Sequence, residues 1–277
     1  MKSASLVELL ELSEQVGQRH ISQGSGIVVA SFKDLYCIRP GRMFFVDWRP
    51  GSVWSLAFYH GALYDAGDYG IMETITNRTV TTKMTHALIA TPGGLVRGCN
   101  KYVSEDKTYG EIFFDCDEKC LCTGRMRTLA FHEGDIYWAS PQSVHDASKK
   151  ERVSDVFDDV QALASHKGRL YCAYNNLNDR CGCVVDVFGK KVVAKRKGCI
   201  QRLVSNDGEL YDAGHYSLPP SKGGYWGNAG ILVLNTLDDP LGKKALWGFA
   251  DQDITAMASV PMKLWEELAK RGKEVQR

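Results

Sequence analysis

The residues from Leu56 to Gly67 read LAFYHGALYDAG, and the residues from Leu203 to Gly214 read LVSNDGELYDAG. Ungapped comparison finds the same phrase three more times, as LIATPGGLV from Leu88, LAFHEGDIY from Leu129 and LASHKGRLY from Leu163. Weaker copies are VVASFKDLY from Val28 and MASVPMKLW from Met257. In each strong copy a glycine follows the first apolar residue by five positions. A phrase that returns about every forty residues predicts a repeat architecture.

Each repeat unit contains four short segments with strand character. In the first unit these are VWSLAF, ALYDAG, GIMETI and TVTTKM, with HG between the first two. The segments are too short for helices, rich in β-branched and aromatic residues, and bounded by turn residues. A four-stranded antiparallel unit repeated along the chain is typical of a propeller blade.

The chain resembles the β-propeller superfamily, in the general manner of kelch and WD-repeat proteins, over residues 26–260. The resemblance concerns architecture only. The Gly-His and Trp-Asp pairs of WD repeats are missing, and most copies lack the double glycine of kelch blades. The resemblance therefore assigns no functional residues.

We expect an all-β, six-bladed propeller, with five or seven blades as alternatives. The strands GIVVASF, LYCIRP and MFFVDW precede the complete units, and a lone strand around Ile254 to Ser259 follows them. These four strands should form the blade that closes the ring. Apolar residues at helical spacing predict a helix and linker in residues 1–25 and a helix and tail in residues 261–277, both outside the ring.

Composition narrows the expected partners and location. The 277 residues carry a net charge of +1, which predicts no general attraction to nucleic acid or to an anionic membrane. No apolar run is long enough to span a bilayer, and the first residues lack the pattern of a secretory signal. We expect a soluble, cytoplasmic monomer whose nine cysteines are reduced and mostly buried.

Aligning the copies reveals two adjacent columns ahead of the conserved apolar position. One is almost entirely apolar: Val53, Thr85, Met126, Val160, Ile200 and Ile254. The next is polar or amphipathic: Trp54, His86, Arg127, Gln161, Gln201 and Thr255. The second column should surround one mouth of the central channel and form a ligand site there. The alternative is that these side chains bond to loop carbonyls and water.

A third column lies in the turn after each second strand. It contains Asp68, Asn100, Gln142, Asn175 with Asn176, and His215, which should open on the same face. Such side chains supply oxygen ligands for a divalent cation, so a metal-dependent hydrolase or lactonase is the alternative function. Asp and Asn also favour turns for conformational reasons, and only one carboxylate is present, so we assign no metal ligand. The cofactor stays open, with a divalent cation as the one candidate.

One insertion departs from the repeat, the segment HYSLPPSKGGYWGNAG from His215 to Gly230. Its large side chains include Tyr225 and Trp226, which a merely solvated loop would not require. We expect this segment to form an aromatic lid over the channel mouth. The motifs G-x-S-x-G, H-E-x-x-H and the P-loop do not occur, so no catalytic residue is assigned. The expected function is the binding of a protein, a peptide or a small molecule at the channel mouth.

Overall fold

The computed structural model describes residues 25–39, 42–104, 107–114, 120–123, 125–155, 157–179, 181–215, 229–233, 247–249 and 254–275. The helix expected in residues 1–25 falls almost entirely outside these ranges. Tyr225 and Trp226 of the expected lid also lie outside them.

The described strands form six antiparallel sheets, one with five strands and five with four. The five-stranded sheet, called the closing sheet, has the order β24, β1, β2, β3, β25. Its strands are β1 (Ser25–Ser31), β2 (Asp34–Arg39), β3 (Arg42–Trp48), β24 (Ala256–Pro261) and β25 (Lys273–Glu274). It therefore combines strands from both ends of the chain.

Each four-stranded sheet is named here by the first of its strands. The β4 sheet contains β4 (Val53–Tyr59), β5 (Ala62–Gly67), β6 (Gly70–Glu73) and β7 (Thr79–Thr81). The β8 sheet contains β8 (Ala87–Thr91), β9 (Gly94–Ser104), β10 (Lys107–Phe114) and β11 (Cys120–Thr123). The β12 sheet contains β12 (Thr128–His132), β13 (Asp135–Ala139), β14 (Val144–Asp146) and β15 (Glu151–Arg152).

The last two sheets follow the same plan. The β16 sheet contains β16 (Asp159–His166), β17 (Arg169–Asn176), β18 (Cys181–Asp186) and β19 (Lys191–Lys197). The β20 sheet contains β20 (Arg202–Asn206), β21 (Glu209–His215), β22 (Ala229–Val233) and β23 (Trp247–Phe249).

The sheets are arranged in a ring around their first strands. β4 contacts β8, β8 contacts β12, and the series continues through β16, β20 and β24 back to β4. These innermost strands enclose the axis, and buried apolar residues fill the space between adjacent sheets. The arrangement is an all-β propeller, which confirms that part of the predicted fold class.

The chain closes the ring with its C-terminal strand, as the sequence predicted. β24 pairs antiparallel with β1, from Ala30 opposite Ala256 to Ser25 opposite Pro261. The sequence led us to expect four strands in this sheet, but β25 adds a fifth by pairing with β3. The reason is that the chain turns back at Gly272 and places Lys273 beside Phe45.

The predicted C-terminal helix is α1 (Met262–Arg271), which follows β24 directly. It buries Leu264, Trp265, Leu268 and Ala269, the spacing of one helix face, against the closing sheet. The Trp265 ring meets Phe44 edge to face at 5.6 Å. In the described ranges, no helix has the length and apolar character that crossing a membrane requires.

The recurring glycine marks a tight hairpin between the first two strands of a sheet. Both central residues have positive φ in His60–Gly61, Glu133–Gly134, Lys167–Gly168 and Asp207–Gly208. Positive φ at both positions defines the turn that matches strand twist, and glycine adopts it without steric cost. The repeat therefore encodes the turn that starts each unit.

The repeated letters LYDAG encode a buried ion pair. Asp65 and Asp212 are both fully buried in the second strands β5 and β21. Arg49, which follows the outer part of the preceding sheet, donates from Nε to Asp65 Oδ2 at 2.9 Å. Arg196 of β19 forms the corresponding ion pair with Asp212. Each copy of the phrase thus joins its sheet to the one before it.

The described cysteines are free thiols, and most of them are buried. Cys37, Cys172, Cys181 and Cys183 are free and buried, and Cys99 and Cys199 are free and partly buried. Cys181 and Cys183 point the same way along β18, with their Sγ atoms 3.7 Å apart. Burial raises the pKa of the Cys37 thiol to about 12, which keeps it protonated.

Candidate functional site

The channel mouth is the end of the ring at which the innermost strands begin. Six residues define it: Trp54, His86, Arg127, Gln161, Gln201 and Thr255, each in or directly before such a strand. Because the innermost strands contact one another in a closed series, these residues surround the axis at one level.

A local irregularity places the column residues at the mouth. In β4, Val53 lies opposite Gly67 and Ser55 opposite Ala66, so Trp54 is an extra residue. In β16, Gln161 is the extra residue between Val160 and Ala162. A β-bulge of this kind re-aims a side chain and often borders a functional site.

Burial separates the two columns as the sequence predicted. The exposed fraction is 1% or less at Val53, Thr85, Met126, Val160, Ile200 and Ile254. In the neighbouring column, Arg127 is exposed and the other five side chains are partly buried. One column therefore packs between sheets, and the other keeps contact with solvent at the mouth.

Trp54 and His86 form a stacked pair across two neighbouring sheets. Their ring centroids are 4.4 Å apart and the planes are inclined by 22°. The backbone N–H of Asn100 donates to His86 Nδ1 at 3.2 Å. Burial lowers the pKa of His86, while the nearby carboxylate of Asp68 acts in the opposite direction. His86 is therefore neutral at pH 7, with its proton on Nε2.

A polar cluster occupies the next part of the mouth. Arg127 Nη2 lies 3.6 Å from Asp159 Oδ1, and Gln161 Nε2 donates to Asp159 Oδ2 at 2.5 Å. The Arg127 side chain remains 42% exposed. Sequence analysis did not select Asp159, although an acidic residue two positions before Gln161 was a usable signal. An exposed cation held by one shared carboxylate can also bind a partner's carboxylate.

Gln201 and Thr255 are joined through a residue that sequence analysis also missed. Arg202 Nε donates to the Thr255 carbonyl at 2.6 Å, and its Nη1 donates to the Gln201 carbonyl at 2.6 Å. This contact links the β20 sheet to β24 at the mouth. The contacts of Gln201 and Thr255 with Arg202 are therefore made by their main chains.

The amides of the third column hold neighbouring sheets together. Asn100 Nδ2 donates to the Met126 carbonyl at 2.8 Å, and Oδ1 accepts from the Met126 N–H at 3.0 Å. Asn175 Oδ1 accepts from the Ile200 N–H at 2.9 Å. These amide oxygens therefore already have backbone partners.

The remaining members of the third column differ from one another. Asp68 is exposed, and its Oδ2 accepts the Ser52 N–H at 3.0 Å. Gln142 is also exposed, and its backbone carbonyl accepts the Phe157 N–H. His215 is the last residue of β21, and its side chain lies outside the described part. Within the described residues, no three His, Cys, Asp or Glu side chains are arranged to hold a metal ion.

Comparison with known proteins assigns no family. No protein-family model matches the chain, and no curated protein matches it. Among solved structures, a chain of the nidogen/laminin complex is similar with 11% sequence identity and a TM-score of 0.43. The similarity covers 65% of this chain and 97% of that chain.

Proposed function

We propose that this propeller is a recognition protein that binds a segment of a partner protein at the channel mouth. The observation that carries the proposal is the stacked pair of Trp54 and His86, which two adjacent sheets present beside the exposed Arg127. Large aromatic side chains and arginine dominate the energetics of protein recognition.

The chemistry of the mouth suggests the kind of segment it binds. The half-buried Trp54 offers an aromatic surface, and Arg127 offers a guanidinium that only Asp159 neutralises in the described contacts. A proline or aromatic side chain fits against Trp54, and a carboxylate pairs with Arg127. The partner segment therefore carries an apolar, planar group near an acidic residue.

Binding is better supported than metal-dependent hydrolysis. A calcium or magnesium site needs several oxygen ligands with free lone pairs and more than one carboxylate. Asn100 and Asn175 instead use their side-chain oxygens to accept backbone N–H groups. Trp54 and His86 supply no hard oxygen ligand.

The insertion after β21 begins and ends at the mouth end of the ring. Its stems are described: His215 pairs with Ala229 and Gly214 with Gly230. This end of β21 is the mouth end, because Ala213 lies opposite Arg202 at the start of β20. Tyr225 and Trp226, which the sequence predicts to form a lid, lie between these stems in sequence and outside the described residues.

A selection from random peptides displayed on phage tests the function. Peptides enriched on the immobilised protein would be synthesised and their affinities measured by fluorescence anisotropy. We expect Trp54→Ala and Arg127→Ala each to weaken binding at least about tenfold, as hot-spot residues do. The matched control is His60→Ala, which removes an exposed aromatic ring from the β4–β5 hairpin turn at the opposite end of the ring.

Two outcomes would contradict the proposal. One is a set of binding peptides whose affinities are unchanged by Trp54→Ala and Arg127→Ala. The other is an equal loss of binding in His60→Ala, which would show that the effect is not specific to the mouth. Thermal unfolding of each variant, measured in parallel, separates lost contacts from lost structure.

A further inference from the structure

A cleft lies on the flank of the ring, and none of the six mouth residues lines it. Its volume is about 300 Å³, at the lower end of the range for ligand sites. It is lined by Asp155, Phe157, Asp158, Tyr174, Asn176, Val185, Val187, Lys190 and Val192. The first three residues belong to the segment that leaves the β12 sheet, and the others to the β16 sheet and its β18–β19 turn. The cleft therefore lies between these two sheets.

The cleft is elongated along the height of the ring. Asn176 is the mouth-end residue of β17, and Val187 follows the opposite end of β18. Phe157 and Tyr174 form part of its wall, with ring centroids 4.7 Å apart. A space that extends along the strands suits an extended chain segment better than a compact molecule.

The repeat explains why this interface is apolar. Where the copies from Leu56 and Leu203 have LYDAG, the copy from Leu163 has LYCAY, so Cys172 takes the position of Asp65 and Asp212. At those two positions a buried Arg–Asp pair fills the interface. Cys172 instead packs with Val185 and Val187, close to Phe157 and Tyr174. The interface here thus has apolar walls in place of an ion pair.

Exposed apolar side chains concentrate around the cleft. Six large apolar residues in the described part are exposed, and Leu177, Phe188 and Val192 are three of them, with exposed fractions of 62%, 50% and 45%. Val192 lines the cleft, and the other two directly follow the lining residues Asn176 and Val187. Apolar groups concentrated beside a cavity mark an interaction surface.

The rim adds a charge preference. Lys190 Nζ lies 3.7 Å from Asp155 Oδ1, so these two charges compensate each other. Asp158 accepts the Leu177 N–H at 3.2 Å. In the described contacts Asp158 has no cationic partner. A cation on the occupant would therefore complete the rim.

We infer that the cleft is a second docking site, which takes an extended segment of a partner protein carrying an apolar side chain next to a lysine or arginine. The apolar side chain enters between Phe157 and Val192, and the neighbouring cation pairs with Asp158. The site is separate from the channel mouth, so the two can be tested independently.

The test uses random peptides displayed on phage and selected in parallel on the wild type, Val192→Trp and Lys191→Trp. Tryptophan at position 192 covers the cleft from an exposed position, whereas Lys191 is equally exposed on β19 but does not line the cleft. We expect a class of peptides with an apolar residue beside Lys or Arg that is retained on Lys191→Trp and lost on Val192→Trp. For these peptides Asp158→Asn should weaken binding about tenfold or more, and Trp54→Ala should have no effect.

Three outcomes would overturn the inference. Equal enrichment on both tryptophan variants would show that the cleft is not used. Cleft-dependent peptides that lack a basic residue would refute the assigned chemistry. A concentration-dependent dimer in sedimentation velocity, abolished by Val192→Trp, would make a second copy of the chain the occupant. Val192→Lys provides a second disrupting variant if the tryptophan variant unfolds at a lower temperature.

Discussion

The two ends of the innermost strands differ in how regular their contacts are. At the hairpin-turn end one contact recurs: His132 Nδ1 with Ser165 Oγ at 2.9 Å and His166 Nδ1 with Ser205 Oγ at 2.8 Å. Asn206 and Ser259 continue it at 2.8 Å. At the channel mouth the corresponding positions form a stacked aromatic pair, an ion pair and contacts through backbone carbonyls. Repeated contacts hold a ring together, whereas varied contacts at equivalent positions indicate specialisation.

Removing β24 should reduce the stability of the protein more than any other change, because β24 contributes contacts at both ends of the ring. Deleting everything after Asp253 removes Thr255 from the mouth and Ser259 from the turn end. It also leaves β1 with an unpaired edge, which favours aggregation. We expect aggregated protein in size-exclusion chromatography. A monomer with an unchanged melting curve would refute closure by β24, and deletion after Val275, which leaves β24 and β25 in place, is the control.

The ion pair of Arg49 and Asp65 is buried between the two ends of the ring. Breaking this pair therefore measures how much the interface between two adjacent sheets contributes to stability. Asp65→Ala removes the buried carboxylate partner of Arg49, whose side chain is 1% exposed, and leaves the partly exposed Asp47 as its remaining ion-pair partner. Removing one partner of such a pair destabilises a protein by about 3–5 kcal/mol. Urea unfolding should show this loss, and the exposed Asp68→Ala serves as the control with less than about 1 kcal/mol. A loss of similar size in both variants would argue against the pair.

A change at the turn end should reduce stability without affecting recognition. His132 is 3% exposed, and alanine at this position removes its bond to Ser165. We expect a loss of about 1–3 kcal/mol from the partner left unsatisfied, measured by urea unfolding. The affinity of peptides bound at the mouth should not change. The matched control is His60→Ala, an exposed histidine in a hairpin turn.

The smallest expected effect is a pH dependence of the free energy of unfolding, to which His86 at the mouth contributes. Burial lowers the pKa of His86, so the unfolded chain, where histidine titrates near pH 6.5, binds more protons than the folded one. The free energy of unfolding should therefore fall as the pH drops through this region. His145 and His166 contribute in the same direction. In His86→Gln the decrease between pH 7.5 and 5.5 should be smaller, and an identical decrease would refute the assignment.

The repeat predicted much of the fold because its signals are local. The glycine after the first strand is needed for the backbone conformation of one hairpin, whatever surrounds it. The alternation between the buried and polar columns reflects the side-chain period of a strand. Closure by the C-terminal strand followed from counting strands that had no other partner. The fifth strand β25 could not be predicted, because two residues carry no strand signal of their own.

The contacts of the candidate site depended on the assembled ring and were harder to predict. Trp54 meets His86, and Arg127 meets Asp159, only because neighbouring sheets pack side by side. Asn100 and Asn175 were selected for their oxygen atoms, yet those atoms bond the backbone of the next sheet. Residues more than twenty positions apart in sequence make these contacts, so no local pattern reports them. No sequence pattern predicts the β-bulges that place Trp54 and Gln161 either.

The position of β24 has a consequence for synthesis on the ribosome. β24, the innermost strand of the closing sheet, is synthesised after all the other sheets. Thr255, which directly precedes β24, bonds the carbonyl of Ala30, a residue made 225 positions earlier. At a translation rate of about 5–20 residues per second, roughly 10–45 s pass between the synthesis of β1 and the synthesis of its inner neighbour β24. During that interval the nascent chain exposes one edge of β1 and the unoccupied inner face of β4. A holding chaperone that shields strand edges is therefore most useful to this protein late in translation, just before β24 is released.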